Sequence, residues 1–130
     1  MKCILPTPLV RLVDDDNDFR ESQKAFLTAL GWQVEDWESP AAFLQDDDLQ
    51  RPGCAVLDIR MPGMDGFGVL NVMNSRHWID DIPVIMISSE DSAQHIRRAY
   101  DMGVSDYISR PFDAEVVYRR VFNTIKLYAR

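Results

Sequence analysis

The sequence predicts a single α/β domain built on a parallel sheet with helices on both faces. Three observations predict it. Five short runs read as strands, and three of them, Leu9–Val13, Cys54–Leu57 and Pro83–Ile87, are rich in Val, Ile and Leu without in-and-out alternation, as strands covered on both sides are. A stretch of helical pattern follows each run, which is the β-α order of a doubly wound fold. The runs stop at charged or hydroxyl residues, and in such folds ligands sit beyond the carboxyl ends of the strands.

The elements follow in order. Leu9–Val13 is short and β-branched, and Asp14-Asp15-Asp16 ends it. A helix runs from about Asp18 to Leu30, with Asp16 or Asn17 as N-cap and Gly31 as its stop. Phe19, Phe26, Leu27 and Leu30 recur at helical spacing and form its apolar side. Trp32 to Trp37 reads as the second strand. Ser39-Pro40 is a cap followed by proline at the first helical position, opening a short helix to about Gln45. The acidic run Asp46-Asp47-Asp48 reads as a solvated loop. Arg51-Pro52-Gly53 is a turn before the third strand, Cys54–Leu57, which ends at Asp58. Prolines and glycines make residues 61–66 a loop, and a helix follows from about Phe67 to Ser75. Pro83–Ile87 is the fourth strand, ending at Ser88-Ser89. Ser92 caps a helix to Met102, with Gly103 after it. Asp106–Ser109 is the fifth strand, ending at Arg110-Pro111, and Asp113 caps a last helix. On that helix Val117, Val121, Thr124, Ile125 and Tyr128 form the face toward the sheet. Val116, Tyr118 and Phe122 are left at its sides, as flank packing or as a partner surface.

The 130 residues fit one compact domain. With 46% hydrophobic and 27% charged residues the chain is an ordinary globular protein and not a disordered one. Cys3 and Cys54 make no disulfide framework, and with His77 and His95 they show no metal-ligand spacing. Both histidines read as surface residues. A net charge of −7 argues against direct nucleic-acid binding. No apolar run approaches the roughly 18 residues of a membrane span, and the first eight residues read as an extension and not as a signal peptide. The expected compartment is the cytoplasm.

The predicted strand ends gather four carboxylates (Asp14, Asp15, Asp16, Asp58), the Ser88 hydroxyl and the Arg110 guanidinium. One aspartate alone would be a loop residue facing water. A set of like charges costs energy unless a cation joins it. Hard oxygen ligands suit Mg²⁺ or Ca²⁺, and a site with few protein ligands suits Mg²⁺ with a phosphate-bearing substrate. A carboxylate beside such a cation can attack phosphorus and become an acyl phosphate. Asp58, at the end of a central strand before a glycine-rich loop, is the best nucleophile.

The residues that carry this chemistry fall into four motifs: Val13-Asp14-Asp15-Asp16, Leu57–Gly66, Pro83–Ser89 and Tyr107–Phe112. In them the sequence resembles the receiver domain of bacterial two-component response regulators, the CheY-like (flavodoxin-like) fold, over about Leu9 to Tyr128. The resemblance implies a (βα)5 domain with strand order 2-1-3-4-5. It implies Asp58 as phosphoacceptor, with a histidine kinase or phosphotransfer protein as donor. It implies Mg²⁺ held by Asp14, Asp15, Asp58 and the backbone carbonyl of Arg60, with Asp15 a direct ligand and Asp14 one through water. Ser88 matches the hydroxyl that moves to the phosphoryl group, and Tyr107 the aromatic that turns inward with it. The Arg110–Pro111 peptide is expected to be cis. Arg60 and Glu90 are expected at the site mouth, either as solvated side chains or as residues that gate attacking water. The last two helices and strand five are the expected contact face for an output domain or a second copy.

One departure stands out. The family normally has lysine where this chain has Arg110, and arginine is larger, planar and differently hydrated. It either serves as the phosphoryl cation or does not fit beside Asp58. That leaves two alternatives to a phosphorylation-dependent switch. One is a receiver-like binding module that works without phosphorylation. The other is an aspartyl-phosphate phosphohydrolase, which Arg60 weakens by standing where such enzymes carry a second acid. A flavin or nucleotide binder lacks its glycine-rich loop after strand one.

Overall fold

The computed structural model describes residues 8–45, 51–61, 63–89, 92–110 and 112–128. Strands β1 (Leu9–Val13), β2 (Gln33–Trp37), β3 (Gly53–Asp58), β4 (Val84–Ser88) and β5 (Asp106–Ser109) form one sheet in the order β2-β1-β3-β4-β5. Every neighbouring pair is parallel. Helices α1 (Asn17–Ala29), α2 (Pro40–Gln45), α3 (Gly66–Ser75), α4 (Ala93–Asp101) and α5 (Ala114–Tyr128) alternate with the strands. The predicted architecture and strand order are those observed. A short 3₁₀ turn, Trp78–Asp80, precedes β4 and was not foreseen.

Strand parity sorts the core into two layers. Val13, Ala55, Leu57, Val84, Met86 and Tyr107 meet side chains from α2, α3 and α4, among them Phe43, Leu70 and Met73. Val10, Leu12, Cys54, Val56, Ile85 and Ile87 meet Leu27 of α1 and Val117 and Val121 of α5. Strands β1, β3 and β4 are buried on both faces, which is why their sequences do not alternate. β2 is an edge strand, with no residue fully buried. Cys54 lies on β3, the central strand of the sheet, with no exposed surface, and burial pushes its thiol up to about 12.

Local chemistry sets the helix starts. Asp16 caps α1 by accepting the Phe19 N–H, Ser92 caps α4 by accepting the His95 N–H, and the Ser39 hydroxyl accepts the Ala42 N–H at the start of α2. α5 begins directly after Asp113, whose carbonyl accepts the Val116 N–H. The apolar side expected for α1 is corrected. Leu27 is buried, but Leu30 is 47% exposed because it sits at the C-cap, past the last turn that faces the sheet. Gln23 takes the inward place, with its amide donating to the Ala114 carbonyl at 3.4 Å.

On α5, Val117, Val121, Thr124 and Ile125 are buried as predicted. The Tyr128 side chain lies outside what is described. Val116 and Tyr118 pack against the α1/α5 layer as flank residues, and Phe122 is 44% exposed. Phe26, Tyr118, Phe122 and Trp32 form a chain of ring contacts at 6.3–6.5 Å along the α1/α5 seam. Asp46-Asp47-Asp48 and residues 1–7 lie outside the described residues. Among the described residues no helix is long and apolar enough to cross a membrane.

Candidate functional site

The carboxyl ends of β1, β3, β4 and β5 bring the predicted residues to one edge of the sheet. Asp14 follows β1, and its N–H donates to the Trp37 carbonyl, so pairing with β2 continues to the rim. Its Oδ1 accepts the Asp16 N–H at 3.0 Å, and the residue is 2% exposed. Asp58 closes β3. The next N–H, from Ile59, donates to the Ile87 carbonyl at 3.1 Å, and the Gly66 N–H donates back to the Ile59 carbonyl at 2.7 Å. The Arg60 N–H donates to Asp58 Oδ1 at 3.3 Å. The backbone after Asp58 is thus fixed from both sides, and the Arg60 N–H holds the carboxylate itself.

Gly66 is needed for this loop. A Cβ there would lie 2.7 Å from the Asp58 carbonyl oxygen and 2.9 Å from Ile59 Cα.

Carboxylate oxygens of Asp14, Asp15 and Asp58 lie within 4.8 Å of one another. Burial pushes the Asp14 carboxyl up to about 6. The Asp16 N–H opposes the shift, Asp58 adds to it, Arg110 opposes it and Asp15 adds to it. Asp58 is raised in the same sense, first by burial, with Arg110 and the Arg60 N–H opposing. A cluster of hard oxygens, half buried and mutually repelling, has the donor chemistry of a Mg²⁺ or Ca²⁺ site. These residues fit such a cation. Asp16 does not join them. Its carboxylate is committed to capping α1, so three carboxylates converge and not four.

The structure places Arg110 beside both inner carboxylates. Its Nη2 is 3.1 Å from Asp14 Oδ2 and 3.7 Å from Asp58 Oδ2. Its backbone N–H donates to the Ser88 carbonyl at 2.8 Å. Ser88 has no exposed surface and follows Ile87, which pairs with Asp58 across the ladder. Tyr107 pairs with Met86 and is 8% exposed, buried in the α2–α4 layer. Arg60 is exposed. Glu90 and Pro111, with the expected cis peptide, lie outside the described residues.

A cavity of about 540 Å³ opens beside the carboxylates, lined by Asp15, Arg60, Phe67, His95 and Arg98 among others. His95 is therefore not a plain surface histidine. It is half-buried, takes a 2.6 Å contact from the Ser92 hydroxyl, and lies 6.3 Å from the Phe67 ring. His77 is exposed, as expected, with a side chain 84% accessible.

The model of the response regulator receiver domain family matches residues 10–122. The chain belongs to that family. The receiver domain is 29% identical over 119 residues to the response regulator protein TodT of Pseudomonas putida, covering 92% of this chain and 52% of TodT. It is 32% identical over 117 residues to the DNA-binding transcriptional regulator NtrC of Klebsiella pneumoniae, covering 90% of this chain and 24% of NtrC. Among solved structures, it is similar to a CheY-like receiver domain protein from Methanospirillum hungatei, with a TM-score of 0.79 and 27% identity. That match covers 94% of this chain and 97% of the other. The receiver domain spans about half the length of TodT and a quarter of NtrC. Receiver domains of this family are regulatory parts of two-component systems.

Two residues around Arg110 escaped the sequence reading. Phe19, in the first turn of α1, and Phe112, just beyond β5, hold their rings against the guanidinium. Phe112 was part of a quoted motif but had no role, and Phe19 read only as a core position. A contact between the first helix and the last strand end leaves no local signal.

Proposed function

We propose that this receiver domain is a phosphorylation-dependent switch. It accepts a phosphoryl group onto Asp58 from a histidine kinase or phosphotransfer protein in a bacterial cytoplasm. The observation that carries this reading is the convergence of the Asp14, Asp15 and Asp58 oxygens within 4.8 Å, with the Arg110 guanidinium 3.7 Å from Asp58.

Asp14, Asp15, Asp58 and the Arg60 backbone carbonyl would hold Mg²⁺. When bound, that ion neutralises the charge between an ionised nucleophile and an anionic phosphoryl group. An Asp58 oxygen attacks phosphorus, and the P–N bond to the donor imidazole breaks with its electron pair going to nitrogen. The Arg60 N–H and the strand ladder orient the Asp58 carboxylate for that approach. Arg110 meets negative charge growing on the transferred group, and the Ser88 hydroxyl donates to one of its oxygens. With Ser88 drawn to the phosphoryl group, Tyr107 fills the space behind it. The face of α4, β5 and α5 then changes its preference for an output domain or a second copy. Arg60, exposed beside the cluster, sets the access of hydrolytic water.

The test is intact mass after incubation with acetyl phosphate. One added phosphoryl group is expected, lost with chelator and lost in Asp58→Asn. No adduct, and no beryllofluoride complex either, would leave a binding module that works without phosphorylation.

A further inference from the structure

Arg110 is held on three sides. Its backbone is tied to Ser88, and its guanidinium lies against the carboxylates of Asp14 and Asp58. On the remaining side its guanidinium carbon stands 4.6 Å from the centroid of the Phe19 ring and 5.5 Å from that of Phe112. The two rings meet edge to face, 6.0 Å apart at 88°, and form a corner. A flat, weakly hydrated guanidinium suits an aromatic corner. An ammonium at the same place would be a hydrated point charge on a mobile stem.

The corner aims the guanidinium at one oxygen in particular. Asp14 Oδ1 is taken by the Asp16 N–H, and Asp14 Oδ2 by Arg110 Nη2 at 3.1 Å. Both Asp14 oxygens therefore have a partner before any ion arrives. A divalent cation that recruits Asp14 through Oδ2 must share that oxygen with the guanidinium or displace it, and through Oδ1 it still meets the guanidinium's positive charge across the same carboxylate.

We propose that Phe19 and Phe112 are positioning residues that lock Arg110 onto Asp14 and Asp58 as an internal counter-ion, so that divalent-cation binding at the acidic cluster is held back by the arginine. The proposal rests on the reading of the cluster as a Mg²⁺ site, but it needs no phosphorylation. Loosening the corner lets the guanidinium leave and uncovers carboxylate charge. Mg²⁺ then binds more tightly, although the formal charge of the protein is unchanged.

The experiment is the Mg²⁺ Kd by calorimetry on the full chain. Phe19→Leu is expected to tighten binding by about three- to tenfold, and Phe112→Leu, whose ring is farther from the guanidinium, by less. Phe19→Tyr keeps the ring and is expected to keep the starting Kd. In an Arg110→Ala background Phe19→Leu is expected to have no effect on Kd, because the group it positions is gone. A merely structural phenylalanine would lower the melting temperature in both backgrounds and leave the Kd alone. An unchanged Kd in both leucine variants overturns the proposal, as does an equal shift with and without Arg110. Absence of Mg²⁺ binding in every variant overturns it together with the metal site. Mg²⁺ competition without any phosphoryl adduct would sink only the proposed function.

Discussion

Asp14 is nearly sealed from water with two other carboxylates in reach, and this gives it a pH signature. In the metal-free protein its folded pKa of about 6 lies above the usual 3.8. Between those values the folded state binds more protons than the unfolded state, so stability falls as pH rises through about 4 to 6. Asp58 is shifted in the same direction. Asp14→Asn keeps an acceptor for the Asp16 N–H and removes the charge. It is expected to raise stability at pH 7 by about 1–3 kcal/mol, with the gain vanishing near pH 4. Urea titrations at the two pH values check this, and an equal gain at both would reject the electrostatic cause. The identity of these aspartates was legible because each follows a strand that ends at the same edge. Their hierarchy was not. Asp16 went to the helix cap because its carboxylate reaches the Phe19 N–H, and a run of three aspartates does not say which one turns away. Arg11 was equally opaque. It stands inside β1 at 1% exposure, with its guanidinium donating to the Leu9 and Arg51 carbonyls at 3.4 and 2.8 Å. Nothing local announces that an arginine in a strand will find carbonyls to satisfy it.

The connection from β3 to α3 is the element that sets the nucleophile. Gly66→Ala would drive a methyl group against the Asp58 carbonyl and the Ile59 backbone. The expected result is slower phosphorylation from acetyl phosphate by about tenfold to a hundredfold, since small misplacements of a reacting group cost that much. Normal rates in this variant would mean the loop relaxes without moving Asp58. The helices differ in how firmly they are attached. α3 buries Phe67, Val69, Leu70 and Met73, whereas only Ala99 of α4 is fully buried. Amide exchange is expected to be faster in α4 than in α3, and equal protection would argue against α4 as the loosely held element of the switch. The elements themselves were legible from period and caps, with ends displaced by a residue or so. Packing at the flanks was not. Tyr118 turned to Phe26 and Phe122 while Leu30 stayed in water, because these depend on how α1 and α5 lie together and not on the period of either.

For the whole domain, a cation that binds only the folded form adds stability by mass action. Mg²⁺ at a hundred times its Kd is expected to add about 2.7 kcal/mol, a rise of about 10 °C in Tm. The gain should disappear with chelator and in Asp58→Asn. A Tm insensitive to Mg²⁺ would speak against a cation at the acidic cluster. The fold was readable as a whole because β1, β3 and β4 are covered on both faces and say so in apolar runs without alternation, broken only by Arg11 in β1. The site was readable in its residue types, and its closed state around Arg110 was not, because the aromatic corner joins the two ends of the domain. The layering around Cys54 has one more consequence. Its thiol is sealed between the sheet and the α1/α5 layer and is held protonated at neutral pH. An alkylating reagent can therefore reach it only after the sheet parts. In a Cys3→Ser background the labelling rate of this one sulfur becomes a clock for whole-domain opening. It can be read by mass in a crude lysate, and ligands or substitutions at the distant acidic edge can be ranked by how far they slow it.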